Sequence, residues 1–410
     1  MNKYISKMFN LQGLTVDKME HCEEKNIITI HCRSPRVYCH CPVCGNSTKK
    51  IHQYRYRQIK HDRLNDKQIV LCLKVRRFEC RKCKKVFSEK IKGIDRKKAS
   101  LNFRKEVISW LQKNSFNYIG QRFKMSGPTL NRYVLSVSDC WLIDWDKIEV
   151  TKLGIDEHSF RGNDLVITIT DISHHKLLAI LKTDRQRALI EFLNSIPKKA
   201  KESIKEVCID LKHGYKTVIK QCLPKADIVA DRFHVETLAK RMVDEIRAVV
   251  QDECVGRRGQ LKKILLTNYQ LLDENEKKKL ALVWKKYEHY PVLKQAWLIK
   301  EKIVHFYQLG NYEKAKENFK YITMLFETKD RNRYMETTMR TWKSWKEQIL
   351  NYFKNKTTNG FTEGCHTKIK MMKRVSFGFR NINNYIAKMM LAFVPLFWVV
   401  NHLTNYHTNC

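Results

Sequence analysis

The sequence predicts a multidomain protein in which a small metal-bound β module and a short helical module precede an α/β domain that a long all-helical segment interrupts. Two CxxC pairs enclose alternating strand patterns near the N-terminus, and helical periodicity follows them. From about residue 150, short apolar runs alternate with amphipathic helices, which is typical of an α/β sheet. The predicted segments are 1–95, 96–148, 149–235, 236–352 and 353–410.

The charge balance indicates a polyanionic partner. The 410 residues include 79 Lys and Arg against 42 Asp and Glu, a formal net charge of +37 that is spread along the whole chain. A folded chain this basic repels itself unless a polyanion is near, and phosphate contacts by Lys and Arg supply most non-specific affinity for nucleic acid. Nucleic acid is therefore the expected partner, with a merely solvated basic surface or association with the ribosome as the alternative.

Cysteine usage and hydropathy predict a soluble, cytoplasmic protein. There are 14 cysteines, and the N-terminal residues contain no long apolar run typical of a secretory signal. Disulfides are therefore not expected, and the cysteines should be buried and free or bound to metal. The longest apolar stretch, 389–400, is shorter than the ~20 residues that a membrane-spanning helix needs, so it predicts a buried core helix kinked at Pro395 and no membrane partner.

The N-terminal segment carries the pattern of a zinc ribbon. Two residues between cysteines allow both thiolates of a pair to reach one tetrahedral Zn²⁺ from a tight turn, and Gly45 suits the positive φ of such a turn. Between the pairs, residues 69–75 alternate as in a strand. Cys39 and His40 are alternative ligands of lower rank, because adjacent ligands would be cramped. The predicted zinc ligands are Cys41, Cys44, Cys80 and Cys83.

Residues 96–148 have the layout of a helix-turn-helix. Ser100 is suited to cap a first helix, a second short helix covers 117–124, and Pro128 begins the next helix at a position where its missing N–H costs nothing. An apolar face recurs in that helix at i, i+3, i+4 and i+7. An ordinary helical hairpin would give the same periodicity, but the position behind a zinc ribbon favours DNA binding. The side chains left to contact DNA are Thr129, Asn131 and Arg132.

From residue 150 the order of elements indicates a ribonuclease-H-like sheet. Three strands, a helix, a strand, a helix and a fifth strand are predicted over 152–234. In that topology the first and fourth strands are neighbours, and Asp156 and Asp210 are expected to close them. Two carboxylates this close repel each other. A divalent cation, Mg²⁺ or Mn²⁺, relieves the repulsion and can activate an attacking oxygen in phosphoryl transfer.

A third acidic ligand is expected from the C-terminal segment. A turn is predicted at 359–360, after which Glu363 lies in the first turn of a helix. Lys370 and Arg374 follow on the same face at i+7 and i+11, where they could hold the DNA backbone, although solvated side chains would show the same spacing. His366, at i+3, is expected to touch DNA, to position water or to be a plain surface residue.

Other acids compete for the second position. Asp231 ends the fifth strand near the same site and is a supporting or alternative metal ligand. Asp210 is preferred because the fourth strand lies beside the first. Asp171 and Asp184, which end the second and third strands, are expected to cap turns, and Glu157 should point to the opposite face of the sheet.

Residues 236–352 are helical in pattern throughout, and they separate the second acid from the third. Four tryptophans recur among their Lys-rich sequence, namely Trp284, Trp297, Trp342 and Trp345. At this spacing they are expected to form a core rather than to stack on bases, while exposed Lys and Arg could contact DNA or a second protomer. The segment is therefore predicted to be an all-helical insertion in the α/β domain.

Over nearly its whole length the chain resembles the ISL-type insertion-sequence transposases of bacteria. CPVCG and RRFECRKC resemble their zinc ribbon, IGQRFKMSGPTLNRYV resembles their helix-turn-helix, and GIDEHSF, VCIDLKHGY, IVADRFHV and TEGCHTKIKMMKRVSFGFRN resemble their catalytic blocks in the family's order. The resemblance implies a DDE triad of Asp156, Asp210 and Glu363, with Mg²⁺-dependent strand cleavage and strand transfer. The partners it implies are terminal inverted repeats and target DNA, bound by a homodimer or larger assembly on paired ends.

Two other functions are compatible with the same fold. A catalytically inactive relative would act as a sequence-specific DNA-binding protein, and the carboxylates present at all three positions argue against it. A structure-specific nuclease would need neither a sequence-reading helix-turn-helix nor so large a helical segment. The leading hypothesis is a transposase whose ribbon and helix-turn-helix bind the terminal repeats.

Overall fold

The computed structural model describes residues 2–11, 13–94, 98–253, 258–327 and 332–408. The chain forms two compact units, one of residues 1–142 and 371–410 and the other of residues 143–370. The last predicted segment, 353–410, is thus divided between the two units. The boundary predicted between 95 and 96 falls in 95–97, outside the described residues.

The elements are numbered along the chain. The strands are β1 (Thr15–Cys22), β2 (Ile27–Arg33), β3 (Cys39–His40), β4 (Ser47–Thr48), β5 (Ile51–Leu64), β6 (Lys67–Glu79), β7 (Val86–Ser88), β8 (Lys152–Arg161), β9 (Asp164–Asp171), β10 (Lys176–Leu181), β11 (Glu206–Ile209) and β12 (Asp227–Ala230). The helices are α1 (Asn2–Met8), α2 (Leu101–Leu111), α3 (Phe116–Phe123), α4 (Gly127–Leu135), α5 (Gln186–Ser195), α6 (Lys198–Ser203), α7 (His213–Cys222), α8 (Arg232–Glu253), α9 (Arg258–Leu266), α10 (Glu274–Lys286), α11 (Pro291–Phe306), α12 (Tyr312–Leu325), α13 (Arg333–Ser344), α14 (Lys346–Asn355), α15 (Gly360–Val375), α16 (Ile382–Phe393) and α17 (Leu396–Thr408).

A five-stranded sheet forms the N-terminal part of the first unit. Its order is β1-β2-β6-β5, and β7 also pairs with β6. In β6, Ile69, Leu71 and Leu73 are buried while Val70 and Cys72 between them are half-exposed, which confirms the predicted alternation. Burial of each such aliphatic side chain stabilises the fold by about 1.5–3 kcal/mol, and residues of β1, β2 and β5 complete the same core.

The helix-turn-helix region follows the predicted layout. The Ser100 side chain accepts a hydrogen bond of 3.2 Å from the Phe103 N–H and caps α2, and Ser115 caps α3 in the same way. Lys124 ends α3 in the left-handed conformation with φ 48°, and Pro128 lies in the first turn of α4. The caps satisfy backbone N–H groups that the helices leave unpaired. Helix α2 begins directly after the predicted cap, and α3 begins at Phe116, one residue before its predicted start.

Helices α16 and α17 belong to the first unit because their apolar side chains complete the core of the helix-turn-helix. Leu391, Val399 and Leu403 pack in one cluster with Leu130 and Val134, and all five are at most 2% exposed. This packing is the physical reason why residues 371–410 separate from the α/β unit, to which the sequence assigned them.

The apolar stretch 389–400 forms parts of two helices rather than the single kinked helix that the sequence predicts. Val394 has extended backbone angles (φ −73°, ψ 132°), because the residue before a proline is displaced from the helical conformation. Met389 and Leu391 are fully buried, as expected of a core segment. Among the described residues no single helix is long and apolar enough to cross a membrane; only this pair, bent by 106°, passes by length and composition together.

The second unit contains a five-stranded sheet of order β10-β9-β8-β11-β12. Strand β8 pairs antiparallel with β9 and parallel with β11, and β11 pairs parallel with β12. The first and fourth strands of this unit are therefore neighbours, as the sequence predicts. All four residues of β11 are buried, which is typical of a parallel strand that is covered on both faces.

The register of this sheet brings two acidic residues together. Strand β11 ends at Ile209, opposite Ile155, so the next residue, Asp210, lies close to Asp156. The prediction that the first strand ends at Asp156 is wrong. Strand β8 continues to Arg161 because its antiparallel hairpin with β9 extends further than its parallel pairing with β11.

Helices α8–α14 lie between β12 and α15 along the chain, and the described residues of 236–352 contain no strand. The predicted tryptophan core is confirmed for Trp342 and Trp345, which are 1% and 0% exposed. Phe319 stacks on Trp342 with ring centroids 4.4 Å apart. Trp284 and Trp297 are half-buried and contact each other at a centroid distance of 5.3 Å. Aromatic packing of this kind accounts for the tryptophans without invoking bases.

Candidate functional site

Four cysteines of the first unit form one cluster. The ligand atoms of Cys41, Cys44, Cys80 and Cys83 lie within 4.8 Å of one another. The Sγ atoms of Cys41 and Cys83 are 3.5 Å apart, as are those of Cys44 and Cys80, and Cys44 and Cys83 are separated by 3.6 Å. Sulfurs bound at about 2.3 Å to a tetrahedral zinc lie about 3.8 Å apart, so the geometry fits Zn²⁺.

Each cysteine pair is held by the same kind of turn. The Gly45 N–H donates to the Cys41 carbonyl at 2.9 Å, and the Lys84 N–H donates to the Cys80 carbonyl at 3.0 Å. Gly45 has φ 70°, as predicted, and Lys84 has φ 58°. The residue after each pair therefore adopts the left-handed conformation that turns both sulfurs of the pair toward one point.

Hydrogen bonds and neighbouring thiols shift the pKa values of Cys80 and Cys83 in opposite directions. Hydrogen bonding from the Cys83 backbone N–H lowers the pKa of Cys80 to about 6. The Lys85 N–H acts in the same direction on Cys83, yet burial and the adjacent thiols raise the pKa of Cys83 to about 12. Four thiolates at this separation repel one another, and a bound Zn²⁺ removes that repulsion.

The two alternative zinc ligands lie outside the cluster. Cys39 is buried in the short strand β3, and His40 is exposed with its Nδ1 3.3 Å from the Gly45 carbonyl oxygen. Within the described part of the chain, neither joins the four sulfurs. The two CxxC pairs therefore form the cluster that fits Zn²⁺.

The second unit holds two overlapping groups of metal-ligating side chains. The ligand atoms of Asp156, Asp210 and His234 lie within 4.8 Å of one another, and those of Asp231, His234 and Glu363 do so as well. The His234 Nε2 atom is 2.9 Å from Asp210 Oδ1. Both candidates for the second acid are therefore at the site, Asp210 with Asp156 and Asp231 with Glu363.

The electrostatics of these acids are those of a crowded, buried set of carboxylates. Burial raises the pKa of Asp210 to about 6, against the opposing effect of His234 and with added repulsion from Asp156. Burial also raises the pKa of Asp231 and that of Glu363, and the negative charge of Asp231 contributes to the shift at Glu363. A cation bound among them would favour their ionised forms.

The residues present fit Mg²⁺ in their chemistry. Carboxylate oxygens are the ligands that Mg²⁺ prefers, and acids dominate both groups. The Asp231 Oδ2 atom is buried and makes no hydrogen bond to any described residue. A buried carboxylate oxygen without a partner costs free energy, which a cation would offset.

The first turn of α15 is fixed to the sheet by side chains on its N-terminal side. The Asn359 N–H donates to Asp231 Oδ1 at 3.0 Å, and the Asn359 Nδ2 donates to the Ile155 carbonyl at 3.2 Å. The hydroxyls of Thr362 and Thr170 are 2.7 Å apart. These bonds determine where the helix presents the third predicted acid.

Gly154 permits that close approach. A Cβ atom at this position would lie 2.5 Å from Oγ1 of both Thr170 and Thr362 and 2.8 Å from Oδ1 of Asn359. Any larger residue would therefore push α15 away from β8. The glycine in GIDEHSF is required here by space rather than by backbone conformation.

The other acids near the site have structural partners. Glu157 points to the opposite face of the sheet, as predicted, where it accepts from the Lys212 ammonium and the Tyr215 hydroxyl. Asp171 accepts a hydrogen bond of 3.2 Å from the His174 N–H and lies 2.7 Å from its Nδ1. The turn role expected of Asp171 is therefore confirmed.

His366 is buried and is therefore not the plain surface residue that was one of its three expected roles. It is 6% exposed, its Nδ1 is 3.2 Å from Asp156 Oδ2, and its Nε2 is 2.9 Å from Thr168 Oγ1. His158, which was not among the predicted site residues, has its Nδ1 2.8 Å from the same hydroxyl. Its spacing of two from Asp156 on an alternating strand could have identified it.

The residues expected to contact DNA lie on α4 and α15. Arg132 is exposed on α4, while Thr129 and Asn131 are half-buried. The Thr129 hydroxyl accepts from the Arg132 guanidinium at 3.0 Å. Lys370 and Arg374 are both exposed on α15. All five positions are thus on helices of the described chain, and the three cationic ones are accessible to phosphate.

Comparison with known proteins gives two family matches. A model of ISL3-type DDE transposases, described as a transposase, matches residues 153–389, and a model described as the zinc-finger of transposase IS204/IS1001/IS1096/IS1165 matches residues 37–83. The transposase for insertion sequence element IS1001 of Bordetella parapertussis is 23% identical over an alignment of 410 positions, which covers 95% of this chain and 98% of that protein. The first match spans more than half of the chain and contains both carboxylate groups, and the second contains all four clustered cysteines.

Proposed function

The chain belongs to the ISL3 family of insertion-sequence transposases, and from this premise we propose that it is a DDE enzyme that binds the terminal inverted repeats of its element and catalyses Mg²⁺-dependent strand cleavage and strand transfer. The observation that carries the proposal is that two groups of potential metal ligands adjoin through His234, one with Asp156 and Asp210 and the other with Asp231 and Glu363. The strand order of the sheet supports a ribonuclease-H-like domain, in which α8–α14 form an insertion between β12 and α15.

Asp156, Asp210 and Glu363 would hold the divalent cations, Mg²⁺ or Mn²⁺. When bound, such ions activate the attacking oxygen and stabilise the leaving one. Asp210 is assigned as the second acid because the parallel pairing of β11 with β8 brings it to Asp156. Asp231 would support the site from the end of β12, since one of its oxygens accepts from the Asn359 N–H and the residue belongs to the group that contains Glu363.

The remaining parts of the chain would bind DNA. The zinc ribbon and the exposed side of α4, with Thr129, Asn131 and Arg132, would read the terminal repeats. Lys370 and Arg374 follow Glu363 on α15 and would hold backbone phosphates of terminal or target DNA. Because both ends of the insertion sequence must be cut, we expect a homodimer or a larger assembly on paired ends.

Strand cleavage of a labelled terminal-repeat duplex with Mg²⁺ tests the proposal. We expect the wild type to nick at the repeat end, and we expect Asp156→Ala, Asp210→Asn and Glu363→Gln each to lower the rate by about 10³-fold or more, because each removes a charged group that acts on the reacting centre. Asp164→Asn is the matched control, since this aspartate is exposed at the start of β9 and should leave the rate unchanged.

Four results would contradict the proposal, or one of its assignments, in different ways. Equal cleavage by the wild type and Asp156→Ala would remove the carboxylates from the chemistry. Specific binding of the repeat without cleavage would indicate an inactive DNA-binding relative, and cleavage of any duplex at equal rates would indicate a nuclease. Full activity of Asp210→Asn with loss of activity in Asp231→Asn would exchange the roles of those two acids.

A further inference from the structure

Four buried side chains of the second unit form a chain of hydrogen bonds that ends on a proposed metal ligand. Asp156, His158, Thr168 and His366 are each at most 6% exposed. Thr168 Oγ1 is 2.8 Å from His158 Nδ1 and 2.9 Å from His366 Nε2, and His366 Nδ1 is 3.2 Å from Asp156 Oδ2. The role proposed above for the acids does not account for either histidine.

The sheet and α15 together build this arrangement. Asp156 and Thr168 are cross-strand partners in the antiparallel pairing of β8 and β9. His158 follows Asp156 by two residues, so the three side chains occupy the same face of the sheet. His366 reaches this face from α15, and its ring lies against that of His158 with centroids 4.7 Å apart.

The chemistry of the groups orders the chain of bonds. An ionised carboxylate can only accept, so the His366 Nδ1–H donates to Asp156. With a neutral imidazole, the His366 Nε2 is then an acceptor, and the single hydroxyl hydrogen of Thr168 donates to it. The Thr168 oxygen is left to accept from the His158 Nδ1–H. One hydroxyl thus fixes the ring orientation of both histidines.

The carboxylate at the end of the chain is constrained on both oxygens. Asp156 Oδ1 accepts from the backbone N–H of Glu157 at 2.6 Å, and Oδ2 accepts from His366. Each carboxylate oxygen has two lone pairs, so each keeps one for a cation. Because Glu363 and His366 are three residues apart on α15, the helix that carries the third acid also holds the first.

We propose that Thr168, His366 and His158 are positioning residues that fix the orientation of Asp156 relative to Glu363 for metal binding. The inference rests on the proposed function, because it takes Asp156 to be a metal ligand. Hydrogen-bond partners behind a metal ligand hold it in one orientation, and their loss typically costs about 10–100-fold in metal affinity or activity.

The test is Mn²⁺ binding to the full chain, measured from the electron paramagnetic resonance signal of the free ion. Thr168→Val removes the hydroxyl with little change in volume, and Thr168→Ser keeps it. We expect Thr168→Val to weaken Mn²⁺ binding by about 10–100-fold and to raise the Mg²⁺ concentration for half-maximal cleavage in the same proportion, with repeat binding unchanged. Thr168→Ser should remain close to the wild type.

Two further variants separate positioning from packing. Thr338→Val changes a threonine buried to a similar degree in α13, away from the acids, and should bind Mn²⁺ like the wild type. His366→Asn keeps an N–H near the position of Nδ1 but cannot also reach Thr168, whereas His366→Phe keeps only a ring. Because the asparagine can still donate to Asp156, His366→Asn should bind Mn²⁺ more tightly than His366→Phe.

The alternative outcomes distinguish failure of the inference from failure of the proposed function. Wild-type Mn²⁺ affinity in Thr168→Val would show that the hydroxyl does not position the carboxylate, and equal losses in Thr168→Val and Thr168→Ser would show that packing is responsible. If Asp156→Ala loses Mn²⁺ binding but the wild type does not cleave the repeat, the proposed function is wrong. The comparison of Thr168→Val with Thr168→Ser would then still decide the inference. Equal Mn²⁺ binding by the wild type and Asp156→Ala would end both.

Discussion

At the scale of single residues, two completely buried lysines show how partners determine the behaviour of a charge. Lys300 Nζ donates to the Thr267 carbonyl at 3.0 Å and pairs with Glu301. Lys388 Nζ donates to the Leu111 carbonyl, and no carboxylate of the described residues forms an ion pair with it. Burial without a counter-charge lowers the pKa of Lys388 to about 7.

Replacement of Lys388 by methionine should therefore give a pH-dependent gain in stability. In the unfolded chain Lys388 keeps its proton up to its ordinary pKa of 10.5, whereas in the folded chain it loses the proton above about 7. Between these values the unfolded state binds more protons, so wild-type stability rises with pH through this window. We expect the advantage of Lys388→Met to be greatest at pH 7 and below, and to shrink by about 1.4 kcal/mol per pH unit above it.

Guanidinium unfolding of the two proteins at several pH values measures this difference. Lys113→Met is the matched control, because Lys113 is exposed just after α2, and its effect should not vary with pH. A difference between Lys388→Met and the wild type that stays constant from pH 6 to pH 10 would mean that the buried amine does not change its protonation on folding.

At the scale of elements, the two cysteine turns are expected to be a single zinc-dependent unit. Cys80 directly follows β6 and Cys83 precedes β7, so metal loss should release the end of the five-stranded sheet. We expect one Zn²⁺ per wild-type chain, and loss of zinc together with a lower melting temperature in Cys80→Ser. Cys39→Ser alters a buried neighbour outside the cluster and should retain the metal. Zinc retained by Cys80→Ser, or lost from Cys39→Ser, would contradict this ligand set.

Elements set by local rules could be predicted from the sequence, and those set by tertiary contacts could not. Residues 69–75 alternate because one face of β6 is buried, and Ser100 caps α2 through a bond three residues away. The burial of His366 depends on which face of α15 meets the sheet, and spacing alone does not reveal that. Likewise, Asp156 lies inside β8 because β8 continues to pair with β9 beyond the point where its pairing with β11 ends.

The candidate site was predictable to the same degree. The parallel neighbours β8 and β11 follow from the predicted order of strands, which is why Asp156 and Asp210 could be paired in advance. The position of Asp231 beside Glu363 could not be predicted in this way, because it depends on the hydrogen bond that the Asn359 N–H, at the start of α15, donates to Asp231. A contact between β12 and a helix 128 positions later has no local sequence pattern.

At the scale of the whole molecule, the net charge of +37 sets how the chain should bind DNA. Each phosphate that Lys or Arg neutralises releases condensed counterions, so affinity falls steeply with salt. This part of the binding does not depend on base sequence. Discrimination between sequences must come from a few side chains that reach base edges, and Arg132 of α4 is the exposed candidate in the helix-turn-helix.

Fluorescence anisotropy with the terminal repeat and with an unrelated duplex separates these two contributions. If 6–10 phosphates are neutralised, affinity for both duplexes should fall by about 10³–10⁵ between about 50 and about 200 mM salt. Lys370→Ala should weaken binding to both duplexes equally, because it removes one phosphate contact. The slope of log affinity against log salt concentration should become shallower by about 1. Arg132→Ala should instead lower the preference for the repeat by about 1–3 kcal/mol. A flat salt dependence would contradict the electrostatic account, and an equal loss on both duplexes in Arg132→Ala would make α4 a backbone contact rather than the sequence reader.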